Sequence, residues 1–286
     1  MLSPEAKGAL LIVAAASLWG STGIAITFAL RDGCSIFTSA AIMIIFALPI
    51  ILLYGGKEGI RRLSPLLLLY GATVVGAFRM LYAFSVQVNG PGVTSSLLYI
   101  APLVVAVAAP LTIHETPRVS DVLMAIVAFG GAYVASNPEF LITSALGFAI
   151  GVSLGIVYAI TIIAIRYFYA RGYTSKEVLV QSSIGMIVPI AFFFYMTPYA
   201  FPKTIWGYVA LLWGGIVCIA LGLTIYLAGM RNVKAIHASV LATIEPITSI
   251  ILSRIILGEV LFPIQLLGVA AILLSSLFIM IRRNVF

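Results

Sequence analysis

The sequence predicts an all-α integral membrane protein of ten transmembrane helices, and three observations predict it. Hydrophobic residues make up 62% of the 286 positions and charged residues only 9%, where a soluble domain carries roughly 25% charge. The apolar segments are long, as in Leu66–Val75 and Ile247–Leu252, and lack the alternation of a membrane β-strand. Lys and Arg, finally, divide very unequally between the two sides that such spans would define. Lipid offers no hydrogen bonds to a backbone, so a spanning chain must be helical or a closed barrel. The long runs select helices.

A crossing needs about 20 mostly apolar residues. Breaking the chain at its charges, Gly, Pro and Asn gives spans at 8–30, 35–54, 65–88, 91–113, 119–137, 143–165, 178–197, 205–229, 235–256 and 263–281. The connections are short, with no linker or soluble domain between them. The first span has small residues at Ala14, Ala15 and Ala16, as a cleaved signal does, but its apolar stretch outruns a signal core of about 7–15 residues. It is read as a helix.

One side of these spans receives Lys7, Lys57, Arg61, Arg62, Arg118, Arg166, Arg171, Lys176, Arg231, Lys234, Arg282 and Arg283, twelve in all; the other receives three, Arg31, Lys203 and Arg254. Cytoplasmic loops are the basic ones, so both termini are expected in the cytoplasm and the chain in a plasma (inner) membrane. The net charge of +7 is then a topology signal that suits anionic headgroups, and nothing points to nucleic acid. Cys34 falls in a connection and Cys218 inside a span, at different depths, so they are not expected to pair. Two histidines without a Cys/His cluster leave no metal site, and no cofactor is implied.

The chain repeats. A shift of 144 sets Tyr82 on Tyr226, Ser95 on Ser239, Leu97 on Leu241, Ile100 on Ile244, Pro102 on Pro246 and Glu115 on Glu259. A shift of 139 sets Gly8 on Gly147, Val13 on Val152, Trp19 on Tyr158 and Thr22 on Thr161. Two five-span halves, 1–140 and 141–286, follow. Five is odd, so the second half enters the membrane from the opposite face. Inverted repeats of this kind alternate access around a midplane site in many secondary transporters, and duplication for bundle stability alone is the other account.

These residues resemble a known family. Leu18-Trp19-Gly20-Ser21 is similar to the opening of the EamA-type members of the drug/metabolite transporter superfamily, as is Pro102 followed by Glu115. Ile244-Glu245-Pro246, Leu257-Gly258-Glu259 and Gln265-Leu266-Leu267-Gly268 resemble that family's repeated pattern most closely. The first half departs from it, with His114 opposite Gly258 and Met124 opposite Gly268. The resemblance covers essentially the whole chain and implies a proton- or gradient-coupled carrier or exchanger.

An ionisable group deep in a membrane faces a cavity or a partner. Two qualify. Arg79 and Glu245 both break the repeat, for Leu223 stands opposite the one and Ala101 opposite the other. Arg79 can hold a substrate carboxylate, and Glu245 an amine or a coupling proton; alternatively the two pair and lock the bundle. Trp19, Tyr158, Tyr82 and Tyr226 would ring a central cavity if the repeat axis passes through one, with Tyr99 joining them, and such rings stack on aromatics or embrace cations. Pro102 and Pro246 remove a helix hydrogen bond and free the carbonyls of Leu98 and Ala242, a matched pair of hinges. Glu115 and Glu259 read as helix-end anchors or caps on the helix that follows, His114 and His237 as interfacial, and Asp32 and Asp121 as loop residues.

A secondary transporter, exporter or exchanger, of a small polar metabolite accounts for this pattern. One cation and one anion suit an amino acid or similar amphoteric solute; an organic cation caged by Glu245 and aromatics, or an organic anion on Arg79, are the rivals. An intramembrane enzyme lacks its paired acids or nucleophile elbow, and a channel its ring of charges. The expected partners are the solute, the bilayer and protons, with the chain acting as monomer or homodimer.

Overall fold

The computed structural model describes residues 3–135, 144–257 and 262–282, and all regular structure among them is helical. Gly258, Glu259, Arg283 and the junction between the two expected halves lie outside the described residues. Among the described residues, eight helices are long and apolar enough to cross a membrane, and two shorter apolar ones accompany them.

The chain opens with α1 (Pro4–Trp19), started by Ser3, whose Oγ accepts the Ala6 N–H ahead of Pro4 in the first turn. It continues after a break at Gly20–Ser21 into α2 (Thr22–Arg31), then α3 (Ile36–Gly59), α4 (Pro65–Tyr70), α5 (Gly76–Leu98), α6 (Ala101–Thr112) and α7 (Val119–Ala135). After the undescribed stretch come α8 (Ala145–Ala170), α9 (Ser175–Gly185), α10 (Ile187–Met196), α11 (Ile205–Trp213), α12 (Gly222–Met230), α13 (Ala235–Leu241), α14 (Glu245–Leu252) and α15 (Pro263–Arg282). A reciprocal capping box of Thr174 and Glu177 fixes the start of α9.

Several expected spans are broken or joined, and each difference has a cause. The first crossing breaks at Gly20 because the chain there touches α14. A Cβ on Gly20 would lie 2.8 Å from the Glu245 carbonyl oxygen and 2.6 Å from Thr248 Cβ, so only glycine allows the approach. The spans expected at 65–88 and 91–113 are continuous helix through Leu98, yet the Ser85 and Thr94 hydroxyls are 2.9 Å apart. Nine residues of straight helix rise about 13.5 Å, so α5 doubles back between them, around Asn89 and Pro91. Asn89 holds that reversal, donating to Ser85 Oγ and to the Gly147 carbonyl.

Two wide π-helical stretches, Gly71–Val75 and Gly214–Leu221, join α4 to α5 and α11 to α12. A side chain on Gly71 would strike the Ser182 carbonyl, and one on Gly215 the Met43 carbonyl. Tight backbone approach at glycines is how membrane helices pack without a hydrophobic drive, and π-bulges are a common accommodation at functional sites. Neither proline bends a continuous helix: Pro102 and Pro246 each stand second in a new one, α6 after the turn at Tyr99–Ile100 and α14 after a 3₁₀ segment, Ala242–Ile244.

Packing pairs α1 with α12, α5 with α8, α3 with α9 and α7 with α15. The last pair meets at Gly131 and Gly268, where Cβ atoms would collide with backbone on the facing helix; Met124, opposite Gly268 in the repeat, has no such role. Asp121 is no loop residue: it sits buried in the first turn of α7, 3.4 Å from His237 Nε2, which is itself buried. Glu115 does not cap the helix that follows it; it accepts the Ala235 N–H at the start of α13 and pairs with Arg166. His114 is exposed at φ 55°, the left-handed conformation that glycine fills easily.

Candidate functional site

Where α1, α5, α8, α9, α12 and α14 meet, they leave a cavity of about 790 Å³, its open mouth included. Six of the residues singled out by sequence line it: Trp19, Arg79, Tyr82, Tyr158, Tyr226 and Glu245. Tyr99 stands behind Glu245, fully buried, and reaches it by a hydrogen bond.

Aromatic faces dominate the lining. Trp19 tilts against Tyr226 with ring centroids 4.9 Å apart, and its Nε1 donates to the Cys218 carbonyl at 2.8 Å. Across the cavity Phe78 stacks on Tyr158 at 5.4 Å and approaches Tyr82 at 6.2 Å. Phe78 was not singled out by sequence, although it directly precedes Arg79. Nor were Tyr70, Ser182, Thr22 and Thr161, all of which line the cavity. Thr22 and Thr161 carried a signal all the same, being partners in the 139-residue register.

The two charges do not lock the bundle together. No carboxylate lies within 4.0 Å of Arg79 among the described residues, which excludes an Arg79–Glu245 bridge in this conformation. The Arg79 guanidinium instead sits 5.8 Å from the Phe78 ring centroid, and its Nε is buried without a hydrogen-bond partner among the described residues. The hydroxyls of Tyr158 and Tyr226 lie near each other, but neither makes a well-formed hydrogen bond. Buried polar atoms are paired in the great majority of cases; Arg79 Nε, unpartnered among the described residues, is a donor at the cavity wall.

Glu245 differs. Only 5% exposed, it bonds Tyr99 Oη through Oε2 at 2.6 Å, and the same hydroxyl lies 2.9 Å from the Ala242 carbonyl. That carbonyl is one of the two the prolines free. It takes the Glu245 N–H in a 3₁₀ bond and the phenol as well. The other, Leu98, does not face the cavity as a free acceptor: its carbonyl packs on Gly155 of α8. Outside the spans, burial and the Asp32 carboxylate push the Cys34 thiol up to about 11; both cysteines are free.

The EamA-like transporter family model matches the chain twice, over residues 6–137 and 145–281. No curated protein matches. A solved crystal structure superposes with a TM-score of 0.81 at 16% identity, covering 94% of this chain and 94% of its own; at that identity the likeness speaks for the fold alone. With the family model spanning nearly the whole chain, this multi-span membrane protein belongs to the EamA-like transporter family of the drug/metabolite transporter superfamily.

Proposed function

We propose that this transporter carries a small amphoteric metabolite, an amino acid or close analogue, by alternating access around the central cavity. The observation that carries this reading is Arg79: a guanidinium facing the cavity with no carboxylate partner among the described residues. A buried cation left unpaired is costly, and a substrate carboxylate would relieve it. Glu245, on the facing helix, offers the counter-group for an amine, and Trp19, Phe78, Tyr158 and Tyr226 give an apolar body somewhere to lie.

The repeat supplies the motion. Two separate matches to one family model support two inverted five-helix halves. So does the packing, for in the repeat register α1–α12 corresponds to α8–α5, while α3–α9 and α7–α15 each join an element to its own counterpart. The reversal inside α5 supports counting two crossings there, and hence ten in all, with both termini in the cytoplasm of a plasma membrane. Pro102 and Pro246, at matched helix restarts, are the hinges about which the halves exchange conformations.

An organic cation is the second reading, favoured by the Trp19–Tyr226 pair beside Glu245. The two separate by ligand-dependent stability. A ligand bound only by the folded state raises the melting temperature as its concentration passes its Kd. Purified protein is expected to be stabilised by neutral amino acids, less by the matching amines, and Arg79→Leu should abolish the difference. Stabilisation by amines alone, unchanged in Arg79→Leu, would install the cation reading instead.

A further inference from the structure

Five of the sixteen Lys and Arg residues crowd into two junctions between helices. Lys57 lies in the last turn of α3, and Arg61 and Arg62 follow it before α4; Arg171 and Lys176 flank the junction of α8 with α9. The two carboxylates among them are already engaged, Glu177 in the Thr174 capping box and Glu58 with Lys176 at 2.9 Å. Lys57, Arg61, Arg62 and Arg171 are exposed, with no carboxylate within 4.0 Å among the described residues.

The two junctions make one built surface. Gln181 of α9, fully buried, spends its whole amide on the α3–α4 loop. Its Nε2 donates to the Gly59 carbonyl at 3.1 Å and the Arg62 carbonyl at 2.9 Å, while Oε1 accepts the Ser64 N–H at 2.8 Å. Tyr173, from the α8–α9 loop, donates to Ser64 Oγ at 3.0 Å, and its ring carries the Arg62 guanidinium 4.6 Å from the centroid. Arg171 lies over the Tyr167 ring in the same way at 4.3 Å. A guanidinium laid on a ring still has its planar edge to offer, the fork that fits phosphate oxygens. Setting the orientation of a span needs only basic residues near its end. It needs neither the clasp at Gln181 nor the two ring platforms.

Apolar surface adjoins these cations. Leu63 follows Arg62 directly and is exposed, as are Leu66 and Leu69, which are three residues apart and so on one face of α4. Two of the helices able to cross a membrane end here, at Gly59 and Ala170, and two begin, at Pro65 and Ser175. A free phosphate would use the charge and leave the apolar flank bare; a phospholipid uses both. We propose that the α3–α4 and α8–α9 loops form a binding site for an anionic phospholipid. Arg61 and Arg62 take the phosphate, Lys57, Arg171 and Lys176 surround it with positive charge, and Leu63, Leu66 and Leu69 lie along the acyl chains. Basic clusters of this size beside a span attract anionic headgroups. The site goes beyond solute transport but adjoins it. Val178 and Ser182, on the same helix as Gln181, line the cavity, so a lipid that holds the loop against Gln181 steadies that wall.

Native mass spectrometry of the detergent-purified protein tests the site, with phosphatidylglycerol and phosphatidylcholine of identical acyl chains as competing probes. The parent is expected to hold phosphatidylglycerol at least about tenfold more tightly, a ratio that a few ionic contacts supply. Arg61→Gln with Arg62→Gln should lose most of that ratio. Lys7→Gln with Lys234→Gln removes the same charge from exposed positions outside the two junctions and should keep it. Lys57→Gln with Arg171→Gln carries the test if the first pair does not fold. No preference in the parent, or a loss as large in the Lys7, Lys234 pair as in the loop pair, overturns the site. Glycerol phosphate displacing the lipid at equal concentration overturns the lipid as its occupant, in favour of a free anion. Whether any solute moves bears on none of these results.

Discussion

Arg166 grips Glu115 with two nitrogens, Nε at 2.7 Å and Nη2 at 2.6 Å from Oε1, and each partner then seizes one end of the turn between α12 and α13. The third guanidinium nitrogen donates to the Met230 carbonyl at the end of α12, and Glu115 Oε2 accepts the Ala235 N–H at the start of α13. Four elements are thereby tied together. Breaking a fully buried pair costs roughly 3–5 kcal/mol; at 22% and 14% exposure the cost here is smaller. Arg166→Leu is expected to lower stability by about 2 kcal/mol and Arg166→Lys by a similar amount, since an ammonium cannot reproduce the fork. Thermal or denaturant unfolding in detergent checks both.

Glycines at helix crossings should separate structure from function. Gly131→Val, on the α7–α15 contact, overpacks a seam remote from the cavity lining and should cost about 1–3 kcal/mol while leaving ligand affinity unchanged in whatever folds. Gly20→Val strikes the Glu245 carbonyl itself and should lose transport at comparable stability. Melting curves and uptake on the same preparations decide it.

Trp19 reports on the cavity. Of three tryptophans, Trp206 and Trp213 are 72% and 49% exposed on the surface of the bundle, whereas Trp19 lines the site. In a Trp206→Phe, Trp213→Phe background, substrate should change the remaining emission saturably, with a Kd equal to that from stability shifts. Trp19→Phe loses the bond to the Cys218 carbonyl, worth about 0.5–1.5 kcal/mol, and should weaken binding by no more than about tenfold.

Much of this site was legible because the repeat register converts linear positions into spatial ones. Trp19 and Tyr158, or Tyr82 and Tyr226, are far apart in the chain, yet all four line one cavity. Thr22 and Thr161 stand in that register too and line the same cavity. What stayed hidden depends on contacts that no local pattern encodes. The π stretches follow from Gly71 lying on the Ser182 carbonyl and Gly215 on that of Met43, tertiary approaches that override a plain helical sequence. The partner of Glu115 stands 51 residues away at Arg166, and that of Asp121 at His237 is farther still. The reversal at Asn89 was visible in Asn-Gly-Pro-Gly; its tightness was not.

Pro246→Ala restores an N–H that can bond the Ala242 carbonyl in α-helical register, competing with both the 3₁₀ bond and Tyr99. The variant should be at least as stable as the parent and should bind solute normally, but exchange it several-fold more slowly. Equal exchange rates would remove Pro246 from the hinge.

We propose that Arg79 and Glu245 together make one cavity fit for an amphoteric solute. Counterflow of labelled amino acids into proteoliposomes, with parent, Arg79→Leu and Glu245→Gln proteins reconstituted side by side, tests it most directly. Saturable exchange by the parent is expected, with loss of at least about tenfold, the worth of 1.4 kcal/mol, in each folded variant. Undiminished amino-acid exchange by Arg79→Leu would contradict it.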